Sequence, residues 1–259
     1  MGIKMRKIKF KNKPIACLTA YNKFSAELID GYCDLILVGD SLGMAYYGYS
    51  STRAVKMDDI IRHAKSVRRG IKKSIMVVDM PYNSYNTKAL AIKNAKKIIK
   101  ETGADAVKLE GGQNIQNIIK HIIKNKINVM GHIGLMPQSV VNKKDYRVKG
   151  KKNNEKNKIL KDLISIQNLG VFAIVLEAVK VDLANEVIKK SSVPIIGIGA
   201  SKKCDGQVLV LEDMLGFYSK VPKFVKKYMN FEKQARKAIK KYVSDVKKNI
   251  FPLRKNIYY

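Results

Sequence analysis

Short apolar runs alternate with longer amphipathic segments along this chain of 259 residues. The short runs are rich in β-branched residues and predict strands, whereas the longer ones have the apolar periodicity of helices. Strands are predicted at 15–20, 35–40, 74–80, 106–110, 128–133, 172–178, 193–199 and 206–211. Helices are predicted between most of them, at 23–32, 57–70, 88–102, 114–125, 155–169 and 181–190.

Eight strands with intervening helices in a chain of this length predict a (β/α)8 TIM barrel. A doubly wound open sheet is the alternative, but so regular a strand count favours closure. The composition has no break and no low-complexity linker, so we expect residues 1–259 to form a single domain. The stretch 223–249 predicts one or two further helices, which form a basic helical C-terminal tail from about residue 230.

A long polar loop, residues 136–155, follows the fifth predicted strand. Loops of this length inside a compact domain are uncommon and are often functional. We therefore interpret this segment as a candidate lid.

The formal net charge is +30, from 51 Lys and Arg against 21 Asp and Glu. Such a charge prompts a nucleic-acid hypothesis, but the lysines are spread through every helical segment rather than gathered beside aromatic residues. A local basic patch, not the total charge, is the informative sign, so the sequence favours no dedicated nucleic-acid partner.

The composition also bears on the compartment. No apolar run approaches the roughly 20 residues that span a bilayer. The basic start of the chain shows no signal-peptide pattern. Cys17, Cys33 and Cys204 are odd in number and lack metal or redox spacing, which is typical of a reducing cytoplasm.

Ionisable residues fall near the carboxyl ends of five consecutive predicted strands. In a TIM barrel these ends meet at the face where the βα loops build the active site. Burial of so many charges without partners would cost several kcal/mol, which favours a shared site over unrelated caps. The residues, in strand order, are Asp40, Asp79, Lys108 with Glu110, His132, and Glu177.

Strand alternation refines this placement. Lys108 and Glu110 are two positions apart, so they share one face of their strand. By the same argument, we expect Asp40 to share the inward face with Val38 and Ile36. Apolar residues would then fill the lower barrel, and charges would line its mouth.

The residue types indicate chemistry on a 2-oxo acid. The carboxylates of Asp40, Asp79 and Glu110, without nearby thiols, suit a hard cation such as Mg²⁺. Such an ion can chelate the carboxylate and keto oxygens of a 2-oxo acid and stabilise an enolate. Lys108 would complement the substrate's negative charge, and Glu177 could act as the general base.

Each residue also has a simpler explanation. Asp79 precedes Met80-Pro81 and could organise a turn, and Lys108 with Glu110 could form only an ion pair at the barrel end. His132 is flanked by glycine on one side and lies in a tight segment, which favours a polar contact with ligand over a core position.

Seven segments resemble the 3-methyl-2-oxobutanoate hydroxymethyltransferase family, also called ketopantoate hydroxymethyltransferases. They run in order from about residue 14 to 228, which is most of the chain. The resemblance implies a TIM barrel that transfers a hydroxymethyl group from 5,10-methylenetetrahydrofolate to 3-methyl-2-oxobutanoate, giving 2-dehydropantoate for pantothenate biosynthesis. The segments read "VGDSLGM", "VVDMPYNSY", "AVKLEGG", "GHIGLMPQS", "IVLEAV", "IGIGAS..CDGQVLV" and "DMLG".

The resemblance also implies roles for individual residues. Asp40 and Asp79 match Mg²⁺ ligands, Glu110 matches a member of the metal site, and Glu177 matches the proton acceptor. Substrate contacts carry over to Asp40, Ser41, Asp79 and Lys108, with His132 as a neighbour.

Two departures from the family pattern concern the loops. Residues 144–150 read "KDYRVKG" where family members usually read "GGY.VQG", so folate binding by this loop could differ. The usual "GAG" after strand seven reads "GAS" at 199–201. The family also implies a homo-oligomer, commonly a decamer. The rival enzymatic interpretation is a Mg²⁺-dependent lyase or mutase acting on another 2-oxo acid.

Overall fold

Residues 8, 10 and 14–259 are described by a computed structural model. Parallel strands form one closed barrel in chain order, β1 to β8, with β8 paired to β1. The predicted TIM barrel is therefore confirmed, and the open-sheet alternative is excluded. The strands are β1 (Ile15–Thr19), β2 (Leu35–Val38), β3 (Ile75–Asp79), β4 (Ala106–Glu110), β5 (Asn128–Gly134), β6 (Ala173–Glu177), β7 (Ile195–Ile198) and β8 (Gly206–Leu209).

Helices follow most strands, as the sequence predicts. Two short ones, α2 and α8, are not predicted, because four or five residues are too few to show a helical period. The α-helices are α1 (Lys23–Ile29), α2 (Leu42–Ala45), α3 (Met57–Arg68), α4 (Lys88–Thr102), α5 (Gln116–Lys124), α6 (Asn153–Gln167), α7 (Val181–Lys190), α8 (Leu211–Leu215) and α9 (Phe231–Lys247).

Helix α4 illustrates how the sequence sets these elements. The Thr87 side chain accepts a hydrogen bond from the Leu90 amide and caps the first turn. Gly103 ends the helix with φ of +68°, a conformation that glycine adopts at low cost. Ala91, Ala95 and Ile98 are buried on the stripe between these ends.

Alternate residues of all eight strands form a buried cluster inside the barrel. On β4 the cluster contains Ala106, two positions before Lys108, and on β6 it contains Ala173 and Val175, four and two positions before Glu177. Because side chains alternate along a strand, Lys108 and Glu177 continue the inward faces of their strands. The cluster comprises Ile15, Cys17, Leu35, Leu37, Val77, Ala106, Met130, Ala173, Val175, Ile196 and Val208.

The expected alternation is wrong for β2. The interior cluster takes Leu35 and Leu37, so Asp40 does not continue an inward face through Ile36 and Val38. The strand ends at Val38, and the chain then turns. A Cβ at Gly39 would lie 2.8 Å from Ser41 Oγ, so a larger residue there would displace the Ser41 side chain. This turn, rather than the pleat, sets the direction of Asp40.

Acids at the opposite end of the barrel serve the fold. Asp34 Oδ2 accepts the Ala16 amide at 2.9 Å, and Asp105 Oδ2 accepts the Met76 amide at 2.9 Å. Both contacts join the amino ends of neighbouring strands, where they satisfy backbone donors beyond the sheet pairing.

Contacts divide the chain into two compact units, one up to Val210 and one from Leu211. In the second unit, α9 lies within the predicted helical segment 223–249 and contains no buried residue. The rings of Phe217 and Phe231 stack there with centroids 4.0 Å apart. The expectation of a single domain stays a prediction. Within the described residues, no helix is long and apolar enough to cross a membrane.

Candidate active site

The carboxyl ends of β2, β3 and β4 bring two carboxylates and an ammonium group together. The backbone amide of Asp40 donates to Asp79 Oδ2 at 3.0 Å. Lys108 Nζ lies 2.8 Å from Asp79 Oδ1, and both side chains are almost fully buried. Lys108 thus pairs with the acid on the neighbouring strand, whereas the ion-pair alternative supposed a pair with Glu110.

The electrostatics of this group are those of a crowded, buried set of acids. Burial and the nearby Asp79 and Glu110 carboxylates hold the pKa of Asp40 well above its usual range. Burial also raises the pKa of Asp79, although Lys108 opposes the shift. Burial lowers the pKa of Lys108, but the three carboxylates outweigh it, so that pKa is raised and the ammonium stays charged.

His132 lies between two carboxylates at the ends of β4 and β6. Its Nδ1 atom is 3.5 Å from Glu110 Oε1, and its Nε2 atom is 3.3 Å from Glu177 Oε2. Burial and the Lys108 ammonium oppose protonation, but hydrogen bonding to the two acids raises the pKa of His132 to about 9. The ring thus lies between the Glu110 and Glu177 carboxylates at the mouth of the barrel.

Ser41 has a buried partner that sequence reasoning missed. Its Oγ lies 2.7 Å from the hydroxyl of Tyr21, a residue with no exposed surface. Tyr21 follows β1, so its position just beyond a strand end was a signal that could have been used.

Gln138 and Tyr85 were also missed. Gln138 is 3% exposed, and its side-chain nitrogen donates to Asp40 Oδ2 at 2.7 Å. Tyr85 donates its hydroxyl proton to Gln138 Oε1 at 2.5 Å. Both lie in motifs that follow strands, "MPQS" and "NSY", but neither is ionisable at neutral pH. A search for charged residues at strand ends therefore passes over them.

The donor set fits a divalent cation. Mg²⁺ is commonly held by one or two carboxylates together with water and substrate oxygens. Asp40 and Asp79 supply such a pair, and a cation would relieve the repulsion that raises the pKa of Asp40. Across residues 8, 10 and 14–259, no group of three or more His, Cys, Asp or Glu is arranged to hold a metal ion.

The candidate lid is anchored beside this site. Its backbone pairs with the segment after β6 through the Lys149 amide, which donates to the Ala178 carbonyl at 2.8 Å. Tyr146 packs against a small cluster of Leu135, Val140 and Ala178. Burial raises the pKa of Tyr146, and the Glu177 and Asp40 carboxylates raise it further.

Solved structures share the fold at low identity. Phosphoenolpyruvate phosphomutase from Streptomyces platensis subsp. rosaceus superposes with a TM-score of 0.58 at 13% identity, covering 91% of this chain and 83% of that one. A phosphonopyruvate hydrolase complex with oxalate and Mg²⁺ gives a TM-score of 0.59 at 10% identity, covering 95% and 87%. These similarities concern the fold alone.

Sequence relatives are much closer. The 3-methyl-2-oxobutanoate hydroxymethyltransferase of Pelagibacter ubique is 52% identical over 252 residues, covering 97% of each chain. The enzyme of the same name from Wolinella succinogenes is 46% identical over 253 residues, again covering 97% of each. That from Bartonella tribocorum is 47% identical over 247 residues, covering 95% of this chain and 91% of the relative.

The family model described as ketopantoate hydroxymethyltransferase matches residues 3–254. The match therefore extends beyond the region 14–228 that the motifs indicate, and it includes α9, which the sequence motifs left unassigned. The fold, the motifs and the relatives agree, and the chain belongs to the ketopantoate hydroxymethyltransferase family.

Proposed function

We propose that this protein transfers a hydroxymethyl group from 5,10-methylenetetrahydrofolate to 3-methyl-2-oxobutanoate, giving 2-dehydropantoate. The observation that carries the proposal is the contact of Glu177 with His132, beside the buried group of Asp40, Asp79 and Lys108. A base next to an anion-binding and cation-binding group is what removal of a proton beside a carbonyl requires.

Asp40 and Asp79 would hold Mg²⁺, with Glu110 as a further member of the metal site. When bound, the ion would polarise the carbonyl of the oxo acid and favour the charge of its enolate. Lys108 adds positive charge for the substrate carboxylate, and the Ser41 hydroxyl, held by Tyr21, supplies a hydrogen bond to it.

Glu177 takes the proton from C3 of the oxo acid, and the electron pair of that C–H bond enters the enolate. The enolate carbon then forms a bond to the methylene carbon of the folate as one C–N bond of that carbon breaks. Water supplies the hydroxyl group as the second C–N bond breaks, and tetrahydrofolate leaves with its two nitrogens protonated, one proton from C3 and one from the water. His132, held between Glu110 and Glu177, fixes the direction of the base.

The lid segment 136–155 is the proposed folate-facing loop. Its "KDYRVKG" sequence retains the tyrosine of the usual pattern as Tyr146, which packs beside the mouth.

A homo-oligomer, with the decamer as the expected form, and a cytoplasmic location complete the proposal. Cys17, Cys33 and Cys204 are free thiols, which suits a reducing compartment.

The test is exchange of the C3 proton of 3-methyl-2-oxobutanoate, followed by NMR in D₂O with and without Mg²⁺, and then with methylenetetrahydrofolate. Metal-dependent exchange and folate-dependent 2-dehydropantoate are the expected results. Exchange without product would favour a Mg²⁺-dependent enzyme acting on another 2-oxo acid. Absence of exchange in folded, metal-loaded protein would contradict the proposal.

A further inference from the structure

We propose that Gln138 is a positioning residue that orients Asp40 and thereby sets the affinity of the site for its divalent cation. This inference rests on the proposed function, because it assumes that Asp40 is a metal ligand. Gln138 lies in the 3₁₀ turn Pro137–Ser139, at the start of the lid segment and 98 positions along the chain from Asp40.

Every polar atom of the Gln138 side chain has a partner. The nitrogen Nε2 donates to Asp40 Oδ2 at 2.7 Å and to the Met80 carbonyl at 2.9 Å, and Oε1 accepts from Tyr85. The Met80 carbonyl can only accept, so the amide nitrogen must face it. The amide therefore has one orientation, in which a donor faces Asp40.

The main chain of Gln138 is held as firmly as its side chain. Its amide donates to Glu110 Oε2 at 2.9 Å, and its carbonyl accepts from Arg53 Nη1 at 2.9 Å. The Arg53 guanidinium also lies 3.8 Å from the centre of the Tyr82 ring and donates to the Tyr82 hydroxyl at 2.7 Å. These contacts join the loops that follow β2, β3 and β5, so Gln138 has little freedom to move away from Asp40.

The hydrogen bond to Asp40 Oδ2 restricts the rotation of that carboxylate. A ligand already held in one orientation loses less conformational freedom when a cation binds. Residues that hydrogen-bond to metal ligands commonly change metal affinity by about 10–100-fold when they are mutated. We therefore expect Gln138 to affect cation binding more than the chemical step.

The experiment measures Mn²⁺ binding to the full-length protein by electron paramagnetic resonance. Gln138→Met keeps the length of the side chain and the backbone contact with Glu110 but removes the donor to Asp40. We expect its Mn²⁺ dissociation constant to rise at least about tenfold. At saturating Mn²⁺, its rate of C3 proton exchange should return to within about threefold of the wild-type rate, because the base is intact.

Tyr85→Phe is the matched control. It removes a buried hydrogen bond from the other side of Gln138 but leaves Nε2 facing Asp40. We expect the Mn²⁺ dissociation constant of Tyr85→Phe to change by less than about threefold, although this variant, like Gln138→Met, should be less stable than the wild-type protein. Gln138→Asn, whose amide is too short to span the same partners, is a second variant in case Gln138→Met does not fold.

Equal weakening of Mn²⁺ binding by Gln138→Met and Tyr85→Phe would overturn the inference, since both would then act through stability. Unchanged Mn²⁺ affinity in the Gln138 variants, or a rate of exchange that stays low at saturating Mn²⁺, would overturn it as well. The proposed function fails separately, if wild-type protein binds Mn²⁺ but forms no product with the oxo acid and folate.

Discussion

The imidazole Nε2 of His132 lies 3.3 Å from Glu177 Oε2, and its Nδ1 lies 3.5 Å from Glu110 Oε1. The ring thus joins the acid proposed as the base to an acid proposed for the metal site. The two acids lie on β4 and β6, with His132 on the strand between them. In the proposed mechanism, this relationship would place proton removal beside the residues proposed to hold the metal ion and the oxo acid.

Glu177→Gln removes the proposed base and keeps the size of the side chain. We expect exchange of the C3 proton to fall by about 10²–10⁴-fold, which is the usual contribution of a general base. Binding of the oxo acid should persist. Glu186→Gln, in an exposed ion pair with Lys190, is the control for the same chemical change. Normal exchange in Glu177→Gln, followed by NMR in D₂O, would exclude Glu177 as the base.

Lys108→Met leaves Asp79 and its neighbours buried without their cation. Removal of one partner of a buried ion pair typically costs about 3–5 kcal/mol, so we expect a loss of this size in the free energy of unfolding. Urea unfolding followed by circular dichroism measures it. Lys190→Met breaks an exposed pair and should change stability little. Similar losses in the two variants would contradict the role assigned to Lys108.

Acid should loosen the end of the lid segment. The Arg147 side chain, with the amides of Gly150 and Lys151, lowers the pKa of Glu155 to about 2. The contact therefore stabilises the segment above about pH 4.5 and is lost as the pH falls towards 2. Hydrogen exchange at Gly150 and Lys151, corrected for its intrinsic pH dependence, should show this loss.

Glu155→Gln supplies the control for that measurement. The amide cannot ionise, so protection in the segment should be lower at neutral pH and nearly independent of pH across the same range. A wild-type segment whose protection does not change between pH 5 and pH 2 would show that Glu155 does not hold it.

Tyr21→Phe removes the hydroxyl that meets Ser41 Oγ at 2.7 Å. A typical hydrogen bond contributes about 0.5–1.5 kcal/mol, so we expect KM for the oxo acid to rise about 2–10-fold with a smaller change in kcat. Tyr32→Phe, at an exposed position, is the matched control. A fall in kcat with unchanged KM would show that Tyr21 does not act through substrate binding.

The predicted strands agree with the structure because each carries a local signal. Strand β4, for example, was predicted at 106–110 and spans Ala106–Glu110. The carboxyl-end acids were equally accessible, since a barrel brings the ends of all its strands to one face. Acids at the other end, such as Asp34 and Asp105, look similar in sequence but bind strand amides. The two sets differ only in whether the acid lies before the start of a strand or at its carboxyl end.

The sequence by itself determined the barrel, the family and the face on which the acids meet, because these follow from local periodicity and short motifs. Only the tertiary structure decided which groups contact each other. Lys108 pairs with Asp79 across the β3–β4 register, and Gln138 reaches Asp40 from a distant loop. Alternation along one strand defines a face but not the register of its neighbours or the path of a turn. Contacts between strands and loops therefore depend on the closed barrel as a whole.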